Sequence, residues 1–165
     1  MAAGRQALDL AAELGASVLQ GQAAYFLGMT YCDVGDFGRA AELQRWSVEA
    51  ADRDAGMPST DMRIMSRAWL VRTLSWLGAF AEGRRHGEEA LRLATLEGRA
   101  HTLFRVHGCL GQLYLAQGDL AHAIRVLEPG LALCRASGNR DWLAIIVANL
   151  GSAYALQGRL AEGRA

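Results

Sequence analysis

The stretch LGQLYLAQGDLAHA, from Leu110 to Ala123, returns forty residues later as LGSAYALQGRLAEG, from Leu150 to Gly163. Half of the positions are identical, and most of the others keep a small or apolar residue. A phrase that recurs at a fixed spacing of this size is the sequence signature of a repeat architecture. The chain is therefore predicted to be built from one structural unit used several times.

Two further copies place the whole chain in the same register. LGMTYCDVGDFGRA begins at Leu27, and a more divergent copy, LVRTLSWLGAFAEG, begins at Leu70. Each of the four copies carries a glycine at the same internal position, namely Gly35, Gly78, Gly118 and Gly158. These glycines are separated by 43, 40 and 40 residues, so the unit is about 40 residues long.

Each unit is predicted to be a pair of antiparallel helices joined by a short turn. Apolar residues recur at helical spacing before the glycine, as at Leu103, Val106 and Leu110. Glycine ends a helix readily because it adopts the left-handed conformation without steric cost. In two copies an aspartate follows, Asp36 or Asp119, whose carboxylate can cap the next helix.

This pattern predicts a single repeat domain over residues 1–165. The first helices of the hairpins are expected at 17–34, 62–77, 101–117 and 140–157, and the second helices at 37–54, 80–97 and 120–137. Residues 1–14 are interpreted as the second helix of a preceding repeat, and residues 160–165 as the opening of another second helix. The repeats are thus 17–54, 62–97, 101–137 and a truncated 140–165, with a Pro-containing loop at 55–61.

Small residues recur twelve positions apart and are predicted to face each other across each hairpin. Such pairs would let two helix backbones approach closely. In the divergent copy a larger and a smaller residue replace them, which conserves the total volume. The pairs are Gly28 with Ala40, Gly111 with Ala123, and Val71 with Gly83.

Composition excludes several classes of function. The 17 basic and 17 acidic residues balance, so no net positive charge attracts nucleic acid or anionic lipid. No apolar run of about 18 residues is present to span a membrane, and the N-terminus lacks the apolar centre of a signal peptide. The three cysteines, Cys32, Cys109 and Cys134, lie far apart in apolar helical patterns and are expected to be buried thiols of a cytoplasmic protein.

The sequence offers no catalytic, cofactor or metal site. His101 and His107 lie six positions apart, so they point in different directions on a helix. His86 precedes Glu89 by one turn, a spacing that favours a surface ion-pair stripe over a metal site. Nucleophile-elbow, P-loop and dinucleotide-binding motifs are all missing from the sequence. We therefore expect a non-enzymatic protein without a cofactor.

The pattern L-G-x-x-Y-x-x-x-G-D-[FL]-x-x-A resembles the tetratricopeptide repeat (TPR), and it covers nearly the whole chain. The family's unit is usually nearer 34 residues, so this chain is similar to a longer variant. The wording of the repeats most resembles the C-terminal repeat region of bacterial signalling proteins that carry a class III adenylate or guanylate cyclase domain and an ATPase domain. The resemblance implies an all-α fold, a right-handed solenoid of antiparallel helical hairpins.

The resemblance also implies a binding groove lined by the first helices. The family's groove positions, carried onto this chain, include Gln22, Tyr25, Met29, Asp33, Arg72, Trp76, Arg105 and Gln112. The Lys/Asn carboxylate clamp of chaperone-binding members is not matched, because the chain has no lysine. Arg72 and Arg105 suit an acidic segment of a partner, although pairing with a neighbouring acid such as Asp33 is the alternative.

The expected function is a non-catalytic scaffold for protein–protein interaction, within a larger bacterial signalling protein. The partner is expected to be a protein or peptide, not nucleic acid or a membrane. The alternative is a repeat domain that senses a small peptide or metabolite in its groove. Exposed apolar ends of the solenoid would also allow the chain to associate with itself.

Overall fold

The computed structural model describes residues 2–53 and 60–164, and this part of the chain is helical without any strand. The predicted loop at 55–61 lies almost entirely outside the described residues. A short 3-10 turn at Glu162–Arg164 stands where the opening of another helix was predicted. The helices are α1 (Ala2–Glu13), α2 (Ser17–Asp33), α3 (Phe37–Arg53), α4 (Thr60–Leu77), α5 (Phe80–Glu97), α6 (Ala100–Gln117), α7 (Leu120–Ser137) and α8 (Arg140–Leu156).

Glycines in the left-handed conformation separate the helices. Seven of them have φ between 63° and 84°, and they lie at positions 15, 35, 78, 98, 118, 138 and 158. Apart from the interval of 43 residues that contains 54–59, they are spaced by 20, so one helix with its turn is the smallest repeated length. Asp36 and Asp119 cap as predicted, because their Oδ1 atoms accept from the backbone N–H of Arg39 and His122, each at 3.2 Å.

The helices form a solenoid of antiparallel hairpins, α2–α3, α4–α5 and α6–α7, flanked by α1 and α8. The first helices α2, α4, α6 and α8 lie side by side in one layer. Each second helix packs between its own first helix and the next one, as α5 does between α4 and α6. The largest buried cluster joins α4, α6 and α8 through Leu110, Leu113 and Ile146.

The closest contact within each hairpin corrects one prediction. An added Cβ at Gly111 would lie 2.4 Å from Leu127, sixteen residues on. In the divergent copy the residue that faces Val71 is Gly87, also sixteen residues on, and not Gly83. Gly83 instead faces Leu113 of the following hairpin, where an added Cβ would lie 2.7 Å from Cδ1. The exchange of volumes is real, but its partner lies one helical turn further along because antiparallel helices cross at an angle.

Ion pairs join neighbouring helices of the solenoid on the side of the second helices. Arg45 of α3 makes two hydrogen bonds to the carboxylate of Glu82 on α5, at 2.7 and 2.9 Å. The guanidinium of Arg67, which is buried, donates to Asp52 at 2.6 and 2.7 Å. Among the described helices, none combines the length and the apolar character that a membrane span requires.

Candidate partner-binding groove

The exposed surface of the layer formed by α2, α4, α6 and α8 is called the first-helix face from here on. The eight predicted groove residues are distributed over three neighbouring helices of this layer. Gln22, Tyr25, Met29 and Asp33 lie on α2, Arg72 and Trp76 on α4, and Arg105 and Gln112 on α6.

Two arginines on adjacent first helices stack on tryptophan rings. The Cζ atom of Arg72 lies 4.8 Å from the ring centroid of Trp69, and the Cζ atom of Arg105 lies 5.8 Å from that of Trp142. An arginine over an indole face is held by cation–π attraction, which orients the guanidinium. In addition, Arg105 Nη1 donates to Met65 Sδ at 3.8 Å.

Neither arginine is neutralised by an acid in the described part of the chain. No carboxylate of residues 2–53 and 60–164 lies within 4.0 Å of Arg72 or Arg105, whereas Asp33 is exposed at the end of α2. The buried Nε atoms of both arginines also lack a hydrogen-bond partner among these residues. The alternative of neutralising ion pairs is therefore not found in the described structure.

Both arginines lie close enough to Cys109 to act on its thiol. Burial raises the pKa of Cys109 to about 12, and the positive charges of Arg72 and Arg105 oppose this rise. The thiol is 2% exposed and stays neutral, so it cannot balance either charge. Two half-buried cations thus share one apolar neighbourhood, where an anionic group can interact strongly with both.

A hydrogen-bonded chain links the two helices that carry the arginines. Gln112 Nε2 on α6 donates to Ser75 Oγ on α4 at 3.3 Å. The hydroxyl of Ser75 donates in turn to the carbonyl oxygen of Arg72 at 2.6 Å. Gln112 therefore holds α6 against α4 at the level of the arginine pair.

Tyr25 forms part of the wall of this region and is not an open contact. It is 6% exposed, and burial raises its pKa to about 12, with the charge of Arg105 and a hydrogen bond from Trp69 acting in the opposite direction. The phenol is therefore neutral at physiological pH. Of the other α2 residues, Met29 packs against the buried core, and Gln22 is half-buried.

Trp76 is the exposed aromatic residue of α4, as the sequence predicts. Its side chain is 60% exposed and stacks on Phe37 of α3, with ring centroids 5.8 Å apart and an interplanar angle of 14°. The aromatic partner of Arg72 is instead Trp69, one turn earlier on α4. Sequence reasoning assigned Trp69 and Trp142 to the core; the spacing of three residues could have revealed Trp69. No local signal relates Trp142 to Arg105, because they lie on different helices.

Titratable groups elsewhere take part in structural contacts. Glu82 Oε1 lies 4.0 Å from His86 Nε2, and burial is the main cause that lowers the pKa of this histidine. Glu89 and Arg92 form an exposed ion pair at 2.8 Å on the same helix. Across residues 2–53 and 60–164, histidine, cysteine and acidic side chains do not gather in threes as a metal site would need.

Comparisons with known proteins support the fold. No protein-family model and no curated protein matches the sequence. Two crystal structures of a Podosopora anserina protein assigned as a kinesin light chain, with nearly identical TPR-like repeats, are similar to this chain. One is a single-residue variant, with 20% identity and a TM-score of 0.74 over 98% of this chain and 78% of that one. The other has 19% identity and a TM-score of 0.73, over 98% and 79%.

Proposed function

We propose that this chain is a non-catalytic scaffold whose first-helix face binds an acidic segment of a partner protein. The observation that carries the proposal is the pair Arg72 and Arg105, stacked on tryptophans and without an acidic partner in the described chain. Guanidinium groups bind carboxylates through paired N–H donors, and the nearby rings favour apolar residues beside the acid. Repeat proteins of this fold offer extended surfaces of this kind.

The setting we propose is a cytoplasmic signalling protein in a bacterium, in which the repeats form a regulatory segment. The closed-pocket alternative, a sensor of a small metabolite, has less support. Cavities of about 380 and 330 Å³ are lined by described residues, but they lie at opposite ends of the solenoid. Neither is lined by Arg72 or Arg105.

An array of random peptides tests the proposal without knowledge of the partner. The wild-type chain is expected to retain peptides rich in Asp and Glu with neighbouring apolar residues. The double variant Arg72→Gln, Arg105→Gln should lose this preference while its melting temperature and helical content stay close to those of the wild type.

The matched control removes the same charge from the second helices. Arg85 of α5 and Arg125 of α7 are exposed, and the variant Arg85→Gln, Arg125→Gln should bind the same peptides as the wild type. Equal loss in both double variants would reduce the effect to net charge. Retention of acidic peptides by the Arg72→Gln, Arg105→Gln variant would remove these arginines from the binding site.

A further inference from the structure

The N-terminal helix α1 occupies the position of a second helix. An added Cβ at Gly4 would lie 2.9 Å from Cδ1 of Leu27 on α2, and one at Gly87 of α5 would lie 2.5 Å from Cδ1 of Leu110 on α6. Gly4 precedes Gly87 by 83 residues, and Leu27 precedes Leu110 by the same number. Helix α1 therefore packs on α2 in the way that α5 packs on α6.

The sequences agree with this register. GRQALDLAAELG at 4–15 aligns with GEEALRLATLEG at 87–98, and the shared residues are Gly, Ala, Leu, Leu, Ala and the closing Gly. Both segments end in a glycine with positive φ, Gly15 at 63° and Gly98 at 72°. The repeat pattern of a second helix is thus retained along α1.

One side of α1 is nevertheless uncovered. On α5, Ala90 is fully buried and Leu93 is 7% exposed, because α5 packs on the first helix before it as well as on the one after it. The aligned residues of α1, Ala7 and Leu10, are exposed, Leu10 to 56%. This strip of α1 has the composition of a surface that packs on a first helix.

The opposite end of the solenoid presents a first helix with an incomplete covering. Val147 of α8 aligns with His107 of α6, whose Cβ would lie 2.6 Å from a Cβ added at Gly130 of α7. Val147 is 42% exposed. The one close contact near an added Cβ at Gly151 is the carbonyl oxygen of Gly163, at 3.3 Å, in the part of the chain that the structure describes.

A cavity of about 380 Å³ lies beside this face of α8. It is bounded by α7, α8 and the C-terminal turn, and Leu131, Val147 and Leu150 supply apolar lining. The segment that precedes the cavity, LAEGR at 160–164, aligns with FAEGR at 80–84 at the start of α5. The cavity therefore lies where the remainder of a second helix would pack.

We infer that copies of this chain associate head to tail, with α1 of one copy packing on α8 of the next. Residues 160–164 align with 80–84, and residues 2–15 align with 85–98, so the two end segments complete one second-helix pattern without overlap. Ala7 and Leu10 would then cover Val147 and the cavity beside it. Because the contact joins two different surfaces, each added copy offers the same free end again, and open oligomers form.

Sedimentation velocity over a range of protein concentrations tests this arrangement. The wild-type chain is expected to form species larger than a dimer as its concentration rises. Leu10→Glu and Val147→Glu each place a charge in the contact and should leave only monomer at the same concentrations. Leu96→Glu is the matched control, since Leu96 is 74% exposed on α5 in the middle of the solenoid, and it should behave as the wild type does.

Mixing the two single variants distinguishes this arrangement from symmetric dimers. The Leu10→Glu chain keeps an intact α8 surface, and the Val147→Glu chain keeps an intact α1 surface. An equimolar mixture should therefore form a dimer and nothing larger, which also shows that both variants are folded. A wild-type chain that stays monomeric at every concentration, or a mixture that stays monomeric, would overturn the inference. Association of either variant alone would do the same.

Discussion

Leu127 of α7 fills the space that a side chain at Gly111 of α6 would need, since an added Cβ would lie 2.4 Å from its Cγ. The same arrangement appears with the volumes reversed in the preceding hairpin, where Val71 faces Gly87 at 3.5 Å. Each hairpin thus pairs a large residue with a small one at the point of closest approach. The divergent copy keeps the hairpin geometry because the total volume is conserved.

Replacing Gly111 with leucine should separate α6 from α7. Overpacking of a well-packed core costs roughly 1–3 kcal/mol, and this position leaves no room for a side chain. The free energy of unfolding from chemical denaturation should fall accordingly. Gly38→Leu is the control, since Gly38 is exposed and an added Cβ there has its nearest neighbour, Asp36 Oδ1, at 3.9 Å. A Gly111→Leu chain as stable as the wild type would contradict this packing.

Gln44 should be replaceable by methionine with a gain in stability. Its side chain is fully buried, and neither Oε1 nor Nε2 has a hydrogen-bond partner among the described residues. A buried polar group without a partner costs about 1–3 kcal/mol, and methionine removes that cost while keeping a similar shape. Thermal unfolding should show a higher midpoint for Gln44→Met, and no change for Gln6→Met on the exposed face of α1. A lower midpoint for Gln44→Met would show that the amide is satisfied.

Acidification should destabilise the third hairpin through His107. Burial lowers the pKa of His107 in the folded chain, so the unfolded chain binds the proton more readily. Stability from the neutral ring is therefore present above the unfolded value, near 6.5, and is lost as the pH falls below it. Denaturant unfolding at pH 7.5 and 5.5 should show a smaller loss for His107→Gln than for the wild type. Equal losses would mean that His107 does not contribute.

The cysteine thiols should react slowly in the folded chain. Cys32, Cys109 and Cys134 are free and buried. Burial raises the pKa of Cys109 to about 12 and also raises that of Cys134, so few thiolates form at pH 8. A chromogenic disulfide reagent should label all three quickly in guanidinium chloride and only slowly without it. Rapid labelling of the native chain would reveal local opening around these helices.

Local chemistry made the helices predictable from the sequence. A glycine such as Gly118, with φ of 81°, ends a helix because of its own backbone freedom, and Asp119 caps the next one through a neighbouring N–H. Repetition then placed Arg72 and Arg105 on adjacent first helices, since equivalent positions of each unit lie on the same face. The correct prediction that Trp76 is exposed likewise followed from its position on α4.

Contacts between helices were decided by the tertiary structure alone. The sequence spacing suggested that small residues twelve positions apart face each other, but Val71 meets Gly87 because the crossing of two helices depends on the volumes packed between them. The stacking of Arg105 on Trp142 joins residues from different units. No periodicity along one helix can specify such a contact, since it depends on how neighbouring hairpins rotate to bury their shared apolar surface.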